Sequence, residues 1–184
     1  MTLSKTGLPS SVLAGGRLYR LQTDFRYALL FIQNLKEDAP LSAFDFMYDG
    51  EPPENREEGV RAILRWLNPP AELPREGGAE SEEILLDYEK DAPLIFAAFW
   101  ERYGLDLLDE GTRLHWYKFR ALLDGLRDTK LNDVMRIRAW RPDPKDPPSY
   151  RKEMARLKEA WRIESELTAE EQSAVDAFDA LLKG

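Results

Sequence analysis

The sequence predicts a mainly α protein: a multi-helix domain with a short N-terminal β-hairpin and a charged C-terminal helical extension. Three observations predict it. Apolar residues recur at helical spacing through most of the chain. The composition, 43% hydrophobic and 33% charged over 184 residues, is that of a globular chain long enough to bury a core. Five Trp, seven Tyr and eight Phe are too many for a disordered segment.

The hairpin is expected between Val12 and Leu21, because Gly15-Gly16 supplies the positive φ angles of a tight turn. Thr23 or Asp24 then caps a helix in which Phe25, Leu29, Ile32 and Leu35 share a face widened by Ala28 and Phe31. The apolar run Leu41 to Tyr48, bounded by Pro40 and Gly50, is read as a short helix. From Glu54 to Leu67, Val60, Ile63, Leu64 and Leu67 line one side of a further helix, extended by Trp66. Asn68-Pro69-Pro70 ends it, since a residue before proline is pushed out of the helical region. Residues 69–82 form a linker.

Asp87 is expected to cap a helix reaching Tyr103, with Glu89 and Asp91 near the positive end of its dipole and Pro93 close enough to the start to be tolerated. Ile95, Phe96, Phe99, Trp100 and Tyr103 form its aromatic face, and Gly104 its left-handed stop. A helix from Thr112 to Leu123 follows, with Gly125 as terminator. Asp128 is expected to cap another, where Leu131, Val134, Met135 and Arg138 succeed one another at helical intervals. Four prolines within residues 141–148 preclude a regular helix there and predict an extended, stiff spacer. Beyond it a charged helix carries Tyr150, Met154, Leu157 and Trp161 four, three and four apart, and Thr168-Ala169-Glu170-Glu171 makes a capping box before a last helix with Val175, Phe178 and Leu182. Two parts are therefore expected: residues 1–140, a helical domain containing the hairpin and the linker, and residues 141–184, the proline-rich spacer and helical arm.

Composition removes several function classes. The charge of −8, from 34 acidic and 26 basic residues without a basic block, repels a phosphate backbone, so no nucleic-acid partner is expected. The absence of cysteine removes disulfides, thiolate nucleophiles, iron–sulfur clusters and cysteine zinc sites, and fits a reducing cytosol. Residues 1–16 lack the apolar core of a secretory signal, and no stretch approaches the roughly 18 consecutive apolar residues of a membrane span. A soluble protein with no membrane partner is expected.

His115 is the sole histidine. Acid–base catalysis needs a second group to orient the ring, and on a helix from Thr112 its one-turn neighbours are Gly111 and Phe119, neither a base nor a ligand. Leu114, Tyr117 and Ala121 on one side, with Trp116, Phe119 and Leu123 on the next, mark a core helix rather than a cofactor box. The glycines form no dinucleotide or phosphate-binding loop. The pairs Glu57-Glu58, Glu82-Glu83 and Glu170-Glu171 suit helix starts, and Asp45, Asp49 and Glu51 lack the spacing and closing Glu of a calcium loop. No catalytic residue, metal or cofactor is expected, and the chain is read as a non-enzyme. The stripe Tyr150, Met154, Leu157 and Trp161, flanked by Arg151, Lys152, Arg156, Lys158 and Arg162, is the candidate for partner binding. It reads either as a helix docked on the main body or as an arm that lays its apolar face in a partner's groove.

The stretch 87–126, DYEKDAPLIFAAFWERYGLDLLDEGTRLHWYKFRALLDGL, resembles the core signature of a family of small proteins of long-tailed phages and prophages. Tyr103-Gly104-Leu105-Asp106-Leu107 is similar to the end of that family's acidic helix, and Leu114-His115-Trp116-Tyr117-Lys118-Phe119 to the helix that follows. Residues 19–26, the basic helix through Trp161 and the closing Leu181 to Gly184 are similar as well. Pro93, the linker and the prolines at 142, 144, 147 and 148 depart from the pattern. The family is encoded between the major tail protein and the tape-measure protein. The resemblance implies a tail assembly protein, a chaperone for the tape measure, acting in the bacterial host cytoplasm, with tape-measure or other tail proteins as partners. It carries no catalytic residue or cofactor. The competing expectations are a structural tail or neck component of the virion, and an enzyme using His115 with Asp106 or Asp109.

Overall fold

The computed structural model describes residues 7–68 and 84–163. Among these, the chain forms one two-stranded antiparallel sheet, six α-helices and one 3₁₀ helix, so it is mainly helical with an N-terminal hairpin. Linker 69–82, the capping box at Thr168 and the last helix lie outside the described residues.

The chain divides into two compact units. The first takes its described residues from 7–68 and Phe99–Leu126, the second from 84–98 and 127–163. Residues 141–163 group with 127–140 and 84–98.

In the first unit β1 (Ser11–Ala14) pairs with β2 (Arg17–Arg20), Val12 opposite Tyr19 and Leu13 opposite Leu18. Gly15 and Gly16 at φ of 54° and 74° make the turn, which only residues without Cβ occupy cheaply. The pleat turns Val12 inward and leaves Leu13 and Leu18 exposed. Asp24 rather than Thr23 caps α1 (Phe25–Lys36), accepting from Arg26 N at 3.1 Å. The run after Pro40 is a 3₁₀ helix, Leu41–Met47, burying Phe44 and Met47. Asn55 caps α2 (Arg56–Leu67) by accepting from Glu58 N, and the helix buries Val60, Ile63, Leu64, Trp66 and Leu67. Gly59 permits that packing, since a Cβ there would stand 2.6 Å from both Pro53 Cγ and the Tyr48 hydroxyl.

Three expected boundaries shift, each because a local hydrogen bond decides the cap. Asp87 caps a turn, accepting from Glu89 N and Lys90 N, and α3 (Ala92–Tyr103) starts five residues later, so Pro93 sits in its first turn where no N–H is missed. The next helix, α4 (Trp116–Gly125), begins after His115 instead of at Thr112. Thr129, not Asp128, caps α5 (Lys130–Ala139) in a reciprocal box with Asn132, while Asp128 takes φ of 55°.

The second unit packs the start of α3, α5 and α6 (Pro148–Ala160) around Ile95, Ala98, Leu131 and Val134. The proline spacer is shorter than 141–148 and not wholly extended. Asp143 folds it into a turn, accepting from Lys145 N, and Pro148 opens α6 at its first position, where proline's fixed φ suits a helix.

Candidate functional site

The signature residues Tyr103, Gly104, Asp106, Leu114, His115, Trp116 and Phe119 all fall in the first unit, where they join its core to one loop. Gly104 at φ of 62° ends α3, and the Tyr103 hydroxyl donates to Leu122 O at 2.8 Å on α4. Asp106 orders the loop by accepting from Leu108 N and Asp109 N. Leu114 N donates to the Asp24 carboxylate, and its carbonyl accepts from Phe25 N, joining the starts of α1 and α4. Trp116 is buried and donates its indole N–H to Leu67 O at 3.0 Å. Phe119 is stacked between Phe25 and Phe99, at 4.7 and 5.2 Å.

His115 is the N-cap of α4, and that defines its chemistry. Nδ1 accepts from Tyr117 N at 3.1 Å and is therefore unprotonated, so Nε2 carries the hydrogen and donates to Pro9 O at 3.1 Å. Both nitrogens are held by backbone groups. Asp106 and Asp109 use carboxylate oxygens on N–H groups of their own loop. Burial pushes the imidazole pKa below its ordinary value of 6.5, the Pro9 hydrogen bond acts in the opposite sense, and Lys118 lowers it further.

This gives a pH prediction. The unfolded chain takes up the proton near 6.5 and the folded one only at lower pH, so the contribution is full above 6.5 and is lost as pH falls through the folded value. Asparagine caps helices without titrating. Urea midpoints should therefore decline more steeply in the wild type than in His115→Asn between about pH 7 and about pH 5. Parallel declines would show that the cap does not titrate.

The loop between α3 and α4 is built around Arg26, which sequence reasoning passed over. Its guanidinium donates to the carbonyls of Thr112, Leu107 and Asp109 at 2.8–2.9 Å and pairs with Asp24. The sequence places Arg26 next to a cap aspartate, but its three carbonyl partners lie more than 80 residues away.

The second unit holds an open cleft of about 350 Å³ lined by Lys90, Asp91, Pro93, Leu94, Arg138, Ala160, Trp161, Arg162 and Ile163. Its floor is a buried bidentate ion pair, with Arg138 NH1 and NH2 at 2.7 and 2.8 Å from the two Asp91 oxygens. Arg138 Nε also donates to Trp161 O at 2.7 Å, and NH1 to Leu85 O. Arg138 had a legible signal: a charge on the apolar face of Leu131 and Val134 requires a buried partner. Asp91, the residue just before α3, is that partner.

The stripe runs along α6 to its C-cap, Trp161, the one residue of the four that lines this cleft. Tyr150 is 46% exposed, and Met154, Leu157 and Trp161 are half-buried, with Lys130 Nζ 5.5 Å from the Trp161 ring centroid. Lys158 donates to Trp140 O, so α6 is fastened to the end of α5. Arg156 and Arg162 remain exposed, paired with Glu153 and Glu159. Among the described residues no helix is long and apolar enough to cross a membrane, and no three His, Asp or Glu side chains converge as metal ligands would.

A family model described as Bacteriophage Gp15 protein matches residues 5–163. The chain belongs to this family. It is a bacteriophage protein of the structural or assembly kind. The match covers the signature stretch and α6, and so takes in both the core that organises this Gp15 family member and the cleft that opens on its surface. No curated protein and no solved structure matches the chain.

Proposed function

We propose that this Gp15 family member is a tail assembly protein, a chaperone that binds the tape-measure protein during tail morphogenesis in the bacterial host cytoplasm, with no enzymatic activity of its own. The observation that carries this reading is the stripe of α6, with Met154, Leu157 and Trp161 half-buried and Trp161 at the edge of a cleft, on a phage-family chain. A tape measure is a long helical chain whose apolar stripes need cover until tube subunits gather round it. A helix-in-groove contact supplies such cover reversibly, with an aromatic anchor and a charged rim. Trp161 is the anchor, and the −8 net charge of the chain opposes aggregation of the complex.

Co-expression with the tape-measure protein of the same phage tests this. The soluble fraction of the tape measure should rise with the wild-type chain and fall back with Trp161→Ala, provided the variant retains its circular dichroism. A tape measure equally insoluble with and without the chain overturns the reading. Mass spectrometry of purified particles separates the chaperone from a structural tail or neck component, since a chaperone is absent from finished virions.

A further inference from the structure

Leu108 is 78% exposed, the most open of the large hydrophobic residues described, yet it stands on a loop held on both sides by hydrogen bonds. Arg26 clamps the carbonyls of Leu107 and Asp109 on either side of it, Asp106 binds its N–H, and Leu107 is buried beneath. A side chain presented in this way loses little freedom when it enters a pocket. Asp106, Asp109 and Glu110 surround it with negative charge. The cleft of the second unit has the complementary character. Pro93, Leu94, Trp161 and Ile163 provide apolar walls and exposed Lys90 and Arg162 a cationic rim, the Arg162 pair with Glu159 being an exposed 3.8 Å contact of the kind worth little in water, while the charge of Arg138 in the floor is neutralised by Asp91.

We propose that the chain self-associates head to tail, with the Leu108 loop of one copy seated in the cleft of the next. The knob and the socket are different surfaces, so the contact is heterologous, and an assembly grows by adding copies until it closes on itself. The association uses the same cleft as the proposed tape-measure contact and regulates it: a self-associated copy has its cleft filled until a tape-measure helix displaces the loop.

Sedimentation velocity over a concentration series tests this with two variants altered at exposed positions, Leu108→Ser and the pair Lys90→Glu with Arg162→Glu. The wild type should grow in mass with concentration and shrink at high salt, because the charged rim is screened. Each variant alone should associate about tenfold more weakly or worse. Mixed, they should form a one-to-one pair that grows no further, since one intact knob meets one intact socket. A wild type that stays monomeric up to about 1 mM, the weak limit for so small a contact, overturns the proposal. So does association unchanged by Leu108→Ser, or a mixture that remains monomeric. Failure of tape-measure capture leaves these outcomes standing, because the sedimentation is read on this chain alone.

Discussion

Arg138→Ala is expected to destabilise the second unit by about 3–5 kcal/mol. The side chains of Arg138 and Asp91 are 7% and 2% exposed, so truncating the arginine leaves a carboxylate buried without its cation. It also strips the donors from Leu85 O and Trp161 O, and so unfastens the end of α6 from α5. Asp91→Ala should cost a similar amount, since it orphans the guanidinium and removes the acceptor of Asp87 N. Because each single change already breaks the pair, the double variant should cost clearly less than the sum. Urea denaturation of the four proteins measures the cycle. Additive costs would mean that the two side chains act independently and that the bidentate geometry does not matter to stability.

Phe119→Ala should cost the first unit about 3–5 kcal/mol. The ring lies between Phe25 and Phe99 and 5.8 Å from Trp116, so its removal opens a cavity bounded by α1, α3 and α4 together. Those neighbours are held by backbone hydrogen bonds at both helix starts and cannot collapse inward freely. Trp116, buried beside the ring, reports the change through its emission. Phe119→Leu should cost less, since it returns most of the lost volume. An alanine variant within about 1 kcal/mol of the wild type would show that the core refills the space.

How much of the molecule was legible depended on the range of the interaction concerned. The hairpin at Gly15-Gly16, the helices around Val60 and Ile95 and the Gly104 stop were all readable, because side-chain periodicity and positive φ are local properties. Caps were readable to within a few residues. Asp24 was one of two candidates, while Thr129 displaced Asp128 through a bond to Asn132 three residues on. His115 was placed inside a helix by its spacing, whereas it stands at the N-cap, where its ring nitrogens meet Pro9 O and Tyr117 N and its carbonyl accepts from Phe119 N. The stripe at Tyr150, Met154, Leu157 and Trp161 was readable as a stripe. Its half-burial was not, because periodicity shows that a face is apolar without showing what lies against it.

By itself the sequence determined the helical class, the hairpin, the lack of cysteine chemistry and the phage family, all of which follow from composition, local spacing or a contiguous signature. Only the tertiary structure decided that Arg26 ties together the loop carrying Leu108, that Arg138 meets Asp91 beneath a cleft, and that His115 is a neutral cap. These contacts join residues 47 to 106 positions apart, except for the cap's bond to Tyr117. No local pattern encodes such a pairing; it exists only once packing has brought the partners together, and for Arg138 and Asp91 into a space too dry for either charge to remain alone.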